Sequence, residues 1–569
     1  MKSARQNRIA RRRGRIGQGG ILARLARDTR GNTLILVAAA LLPLMALIGS
    51  GIDMGRGYLA QSRMQQACDA AALAGRRAMT AGVVDSTVSA EAEKFFKFNF
   101  PIGTDGQAGT AAFKAKGFKP VVGSAANSTV TVSATTTLPT TVMKIFGFQS
   151  LPLEVTCYAK QDFVNTDIVL VLDTTGSMLC ATTETSCSNS TEKTSSKIKA
   201  LRSAVLALYD ELAPVQTQLA AAGLRLRYGI VPYSSGVNVG KVVQAVNSSY
   251  IVSDTWNYYS RAATTSTSTS MSSSTCRNSY NGTYTTNGST GQCVYYPLLQ
   301  RSLDVSNYVS TDASKNNVDV APLIGGASKI VKWAGCIEER ETVSTITATS
   351  GTAIPSGAND LNTDLVPTAT KATKWAPYWP EVVFNQDTGV APQVACPTEA
   401  RRLTGWTRTD LNDYLDTLRA DGGTYHDNGM IWGARFISPN GIFGANNPST
   451  YNNFPVSRYI IFMTDGMTDT GATLYHTYGM EKWDKRVTGG YVNDTDSDNR
   501  HKQRFRMMCA AAKNIGVSIW VVAFAQALDS DLTACASSAA QASTSSTSTD
   551  LSSKFVEIGK NIGALRLTQ

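Results

Sequence analysis

Two apolar runs that each close on a carboxylate constrain this chain more than any other feature. Residues 167–177 read DIVLVLDTTGS, and residues 458–466 read RYIIFMTDG. Short apolar runs without alternation describe strands buried on both faces, as in a sheet covered by helices. In the first run Asp173 ends the strand, and two hydroxyl residues, Thr175 and Ser177, follow at alternate positions. A carboxylate and two hydroxyls on one tight turn suit a hard divalent cation, which takes oxygen ligands in a nearly octahedral shell. Taken alone, the same turn reads equally well as a helix cap, with Asp or Ser satisfying free backbone N–H groups.

Two further pieces follow in order. Asp421-Gly422-Gly423-Thr424 delivers another hydroxyl just before the helix-like stretch Gly429 to Ile437, and the second apolar run ends on Asp465-Gly466. Together the three pieces resemble the metal-ion-dependent adhesion site of von Willebrand factor type A domains. The resemblance implies a doubly wound, Rossmann-like α/β sheet, with Asp173, Thr175 and Ser177 in the first loop, Thr424 in the second and Asp465 in the third. It implies Mg²⁺, or Mn²⁺ or Ca²⁺, with one coordination position left open for an acidic residue of a protein partner. Binding rather than catalysis is the expectation. The chain has only His426, His476 and His501, and none has the spacing of a metalloprotease helix or a triad. His426 is expected to be a cap or packing residue, and no enzyme activity is expected.

The N-terminus sets the compartment. Thr33 to Ile52 is a run of 20 residues without a charge, long enough to cross a bilayer core of about 30 Å as a helix, and Pro43 inside it is tolerable there. Ten basic residues (Lys2, Arg5, Arg8, Arg11, Arg12, Arg13, Arg15, Arg24, Arg27 and Arg30) against the single acid Asp28 precede it. That asymmetry predicts a single-pass bacterial inner-membrane protein with a cytoplasmic N-terminus and its bulk in the periplasm. It also accounts for most of the net charge of +11. The basic pI therefore gives no reason to expect nucleic-acid binding, and the tail suits anionic lipid headgroups. A cleaved signal peptide is the competing reading. The run is longer than a typical signal core and no clear Ala-x-Ala site follows, which favours a retained anchor.

After the anchor come Asp53-Met-Gly-Arg-Gly-Tyr58 and the Ala/Gln-rich stretch Gln61 to Gly75, with Asp69-Ala-Ala-Ala-Leu-Ala-Gly75 at its end. These segments resemble the N-terminus of TadE/TadG-like Flp pilus assembly proteins of the tight-adherence (Tad) system. The resemblance implies a role with the Tad/Flp pilus machinery. Small pilin-like members of that system are cut after a glycine and carry an early glutamate; Gly31 is followed by Asn-Thr-Leu-Ile-Leu, which puts such processing in doubt. The Ala/Gln helix reads either as a stalk or as an oligomer contact.

Ten cysteines, all beyond the apolar run, suit an oxidising compartment. Cys180 with Cys187, Cys276 with Cys293, Cys336 with Cys396, and Cys509 with Cys535 are plausible pairs, although spacing does not fix connectivity. Zinc is the rival use, but no Cys-x-x-Cys exists. The expected organisation is a basic tail (1–32), a transmembrane helix (33–52), a helical stalk (53–100), a small β-rich module (101–164) and a type A domain (165–569) with an insertion over about 240–407. The helix should continue from about Val84 to Phe98, and the Ser/Thr tract Ser538 to Ser553 should be flexible. Two functions follow: a membrane-anchored pilus assembly or adhesion protein with a metal-dependent partner site, or an accessory scaffold presenting a client to an envelope enzyme, its metal purely structural.

Overall fold

In the computed structural model one helix, α1 (Asn32–Ala78), carries the apolar run straight into the Ala/Gln-rich stretch without a break at Asp53. The structure describes residues 32–79, 84–100, 120–123, 129–160, 164–184, 187, 191–325, 327–383 and 394–563. The basic tail before residue 32, and residues 101–119 of the expected β-rich module, lie outside the described residues. The chain forms two compact units, residues 1–161 and 162–565.

In the first unit the upper part of α1 is apolar and exposed, and its best 18-residue window has a mean hydropathy of 2.4, enough to cross a membrane. The lower part turns a stripe of small residues inward. Ala60, Met64, Ala67, Cys68, Ala71 and Ala72 recur at helical spacing and are fully buried. They pack against α2 (Ser86–Asn99) and a sheet of β1 (Val121–Gly123), β2 (Thr129–Pro139) and β3 (Ser150–Lys160), all antiparallel. Segments expected as a stalk and then a module thus share one core, and the Ala-rich face is used within the chain. The helix does not simply continue through residue 84: α2 is a separate helix whose N-cap Asp85 accepts from the Val88 N–H at 2.9 Å.

All four expected disulfides form, joined by a fifth, Cys68–Cys157, which ties α1 to β3 across 89 residues. Replacing Cys68 and Cys157 together by alanine is expected to destabilise this unit by about 2–5 kcal/mol. Hydrogen exchange of the β2 and β3 amides should show it as lost protection, and unchanged protection would mean that side-chain packing suffices.

The second unit is built on a seven-stranded sheet. Its long strands are β4 (Asn165–Asp173), β5 (Leu226–Tyr233), β6 (Arg401–Thr404), β7 (Phe454–Thr464), β8 (Val517–Phe524) and β9 (Ala542–Ser545), in the order β6-β5-β4-β7-β8-β9. Neighbours are parallel except β6 and the short Thr450–Tyr451 strand at the side of β7. Alternate residues serve two cores. Ile168, Leu170, Leu172, Ile461 and Met463 face α3 (Lys197–Ala221), α4 (Arg408–Asp416) and α7 (Ser548–Gly563). Val169, Val171, Ile460 and Phe462 face α5 (His426–Ile437) and α6 (Asp494–Asn514). A mostly parallel sheet between two helical layers is what the apolar runs demanded.

The insertion joins the second of these cores through Trp333, Trp375 and Trp379, all buried. Its Ser/Thr tract is ordered, with Thr264–Ser268 pairing to Thr290–Tyr295 beside Cys276–Cys293. The tract Ser538 to Ser553 is not a flexible linker either: it holds β9 and the start of α7. Composition missed this because the backbone of β9 is satisfied by parallel pairing with β8, not by anything its hydroxyl side chains announce.

Candidate functional site

From β4 the chain moves one way to β5, and it later re-enters the sheet on the other side of β4 as β7. Turns leaving β4 and β7 therefore diverge, which opens a crevice at their carboxyl ends. Asp173 closes β4, one residue past the Leu172 that pairs with Met463, and Thr464-Asp465 close β7. Both carboxylates are buried, Asp173 completely.

The five residues singled out from the sequence converge here. Asp173 Oδ1 accepts from the Thr175 N–H at 2.9 Å, and Thr175 Oγ1 lies 3.0 Å from Ser177 Oγ. Ser177 Oγ donates to Asp465 Oδ1 at 2.7 Å, which joins the first loop to the third. The second loop is brought in by the Gly176 N–H, which donates to the Gly422 carbonyl at 3.0 Å. Gly422 has φ +84°, and a Cβ there would lie 2.6 Å from the Ala395 Cβ, so only glycine fits this turn. Thr424 is held by a reciprocal backbone pair with Asp469 at 3.1 and 3.0 Å. Its Oγ1 borders Gly466, where an added Cβ would lie 3.6 Å from Thr424 Oγ1 and 3.9 Å from Ser177 Oγ.

Four further side chains join the cluster; three of them the sequence reading did not single out, and the fourth, His426, it took as a cap or packing residue. Lys197 Nζ donates to Asp465 Oδ2 at 2.9 Å, with both side chains buried. Thr464 Oγ1 donates to Asp173 Oδ2 at 2.7 Å, and Tyr233 OH reaches the same oxygen at 3.4 Å. His426 Nε2 lies 3.0 Å from Thr464 Oγ1, and His426 Nδ1 lies 3.2 Å from Thr468 Oγ1. A hydroxyl has one proton, so with Thr464 donating to the Asp173 carboxylate, His426 donates through Nε2, and a ring with no second proton accepts from the Thr468 hydroxyl at Nδ1. It is then neutral, in keeping with the burial that pushes its pKa down to about 4. A sequence signal that could have flagged Lys197 is its place as the first residue of α3 after the N-cap Ser196, where a helix dipole disfavours a cation.

The donor set is two carboxylates and three hydroxyls, all hard oxygens, and it fits a divalent cation better than a soft metal. Burial first, and then repulsion from Asp465, push the Asp173 carboxyl up to about 7 from an ordinary value near 3.8. Folding without a bound cation therefore takes up a proton between those values, and stability falls as pH rises from about 4 to about 7. In chelator, the urea midpoint of the wild type is expected to fall between about pH 5 and about pH 7.5 relative to Asp173→Asn. Parallel pH profiles for the two proteins would show that Asp173 carries no such penalty.

Residues 31–85 match the Tad family described as "Putative Flp pilus-assembly TadE/G-like". No curated relative matches the chain. Among solved structures, the pilus adhesin SpaC from Lactobacillus rhamnosus GG is 12% identical at a TM-score of 0.29, covering 78% of this chain and 34% of its own. The PilB minor pilin from Streptococcus sanguinis is 10% identical at a TM-score of 0.29, over 80% of this chain and 79% of its own. The vWF domain of the type V pili tip protein Mfa5 from Porphyromonas gingivalis is 10% identical at a TM-score of 0.27, over 71% and 98%. The chain spans about a third of the length of SpaC, and at these scores the sheet order described above stands on its own geometry. The likeness to the Tad pilus-assembly family rests on residues 31–85, the range that contains α1.

Proposed function

We propose that this is a membrane-anchored pilus assembly or adhesion protein whose second unit is a von Willebrand factor A domain. In this reading a divalent cation, Mg²⁺ or else Mn²⁺ or Ca²⁺, is held by Asp173, Thr175, Ser177, Thr424 and Asp465. When bound, the cation supplies an open coordination position for an acidic side chain of a protein partner in the Tad/Flp machinery. The Ser177–Asp465 hydrogen bond carries the reading, because it joins the first and third loops, from distant parts of the chain, over one set of oxygens at the switch point, to which the Gly176–Gly422 bond adds the second loop. In this reading the cluster binds rather than catalyses: His426 pairs with Thr464 and Thr468, Asp173 is held by the Thr464 and Tyr233 hydroxyls, and Asp465 by Ser177 and Lys197.

One observation favours a second reading. Lys197 already gives Asp465 a buried positive partner at 2.9 Å, so the cluster has an internal cation and its role would be structural, as in an accessory scaffold that presents a client to an envelope enzyme. Replacing Lys197 by methionine separates the two. If the site takes a metal, removing the competing ammonium is expected to tighten Mg²⁺ binding about tenfold or more, measured by calorimetry on the reconstituted chain. If the ammonium is the site's own cation, the variant gains no Mg²⁺ binding and loses stability.

A further inference from the structure

The hairpin that joins β2 to β3 ends in a tip over residues 142–148, Val-Met-Lys-Ile-Phe-Gly-Phe, which contains no acid and one lysine. A short 3-10 turn (Met143–Phe146) and Gly147 at φ +94° reverse the chain there. Ile145 is 73% exposed and Phe148 61% exposed, an unusual display for two large apolar side chains side by side at a turn.

The position of this tip is fixed by α1. Both carboxylate oxygens of Asp53 accept backbone N–H groups of the tip: Thr141 at 2.8 Å to Oδ1, and Val142 and Met143 at 2.9 and 2.8 Å to Oδ2. Arg56 bonds both Asp53 and the Thr141 hydroxyl. One turn earlier, Gly49 leaves room for Val142, which any Cβ at that position would strike. Asp53 is the first charge after the apolar run, and Gly49 sits about 5 Å inside the end of that run at 1.5 Å per residue. The tip is therefore clamped at the level where the apolar run ends, a stretch of α1 on which Leu47, Ile48 and Ile52 are also exposed.

We propose that the 142–148 tip is a second membrane-contacting element, which seats Ile145 and Phe148 at the boundary between acyl chains and headgroups beside the helix. Lys144 at the tip and the exposed Tyr58 just past the run have the chemistry of that boundary, an ammonium for lipid phosphate and an amphipathic ring. Two contacts instead of one fix the tilt and rotation of the first unit against the bilayer, which a lone helix does not. Asp53 serves this by satisfying three tip N–H groups where water is scarce.

The proposal rests on reading residues 33–52 as the membrane span. All ten cysteines are paired, so a single added thiol takes a nitroxide label specifically. Labels at Ile145→Cys, Phe148→Cys, Leu41→Cys and Val121→Cys would be compared in the full chain in lipid nanodiscs, by relaxation with oxygen and with a water-soluble nickel chelate. Expected is oxygen-dominated relaxation at positions 41, 145 and 148, and chelate-dominated relaxation at 121, which is 66% exposed on the sheet edge. Labels at 145 and 148 that behave like 121, while 41 stays in lipid, overturn the tip contact alone. Shielding of 145 and 148 from both reagents also overturns it, because protein, such as a second copy, then covers the tip. A chelate-accessible label at 41 overturns the membrane span itself and the proposal with it.

Discussion

Glu339→Ala is expected to lower the unfolding free energy of the second unit by about 3–5 kcal/mol, the cost of removing one partner from a buried ion pair. Glu339 lies in the insertion and Arg435 on α5, and both are 1% exposed. The Arg435 guanidinium reaches Oε1 at 2.6 Å and Oε2 at 3.1 Å, while the indole N–H groups of Trp432 and Trp375 donate at 2.8 and 3.0 Å. Burial alone would raise the Glu339 pKa, but the Arg435 charge and these donors hold it below the usual carboxylate range. Its contribution is thus present above the ordinary glutamate value and is lost as pH falls through the lowered one. Alanine would strand Arg435 and two indoles in a dry core. Urea unfolding followed by tryptophan fluorescence would check it, since all eight tryptophans, Trp375 and Trp432 among them, lie in the second unit. A loss below about 1 kcal/mol would mean that the insertion is not fastened to the fold through this cluster.

Asp173→Ala is expected to abolish the Mg²⁺-dependent gain in melting temperature and to cut metal-dependent capture of pilus-machinery proteins at least tenfold. The fold itself should survive, because removing Asp173 also removes a penalised buried carboxylate. The measurement is a crosslinked pull-down from native membranes, wild type against variant, each with Mg²⁺ and with chelator. Recovery of the same proteins in all four samples would take the metal site out of the interface. Recovery of no pilus component in any sample would remove the support for a role in pilus assembly.

What was legible in the sequence is what one strand carries by itself. Asp173 and Asp465 end apolar runs, and a run's end marks a sheet's rim; Ser177 follows at a fixed offset on the same turn. Thr464, Tyr233 and Lys197 were not legible, because they reach the carboxylates across the sheet or from the helix that follows β4, and no local pattern encodes such a distance. His426 was legible as a packing residue but not as the group that orients Thr464. Hydropathy drops at Asp53, yet the backbone helix runs on to Ala78, since helical hydrogen bonding is indifferent to what surrounds it. Cys68–Cys157 was not named from the sequence, although the four expected pairs leave only these two cysteines, because a separation of 89 residues carries no local signal of contact.

The bond between Ser177 and Asp465 spans 288 residues, and its length in sequence has a cost in time. As the chain is made, β4 appears early and can pair with β5, but its other edge has no partner until β7 arrives, after the whole insertion. For that interval a strand apolar on both faces presents an open edge, the geometry that invites pairing with another chain. Molecules interrupted before residue 454 would carry that open edge indefinitely. Folding of this protein is therefore expected to depend on a holding chaperone more strongly than folding of a protein of equal size whose central strand is enclosed by its immediate neighbours.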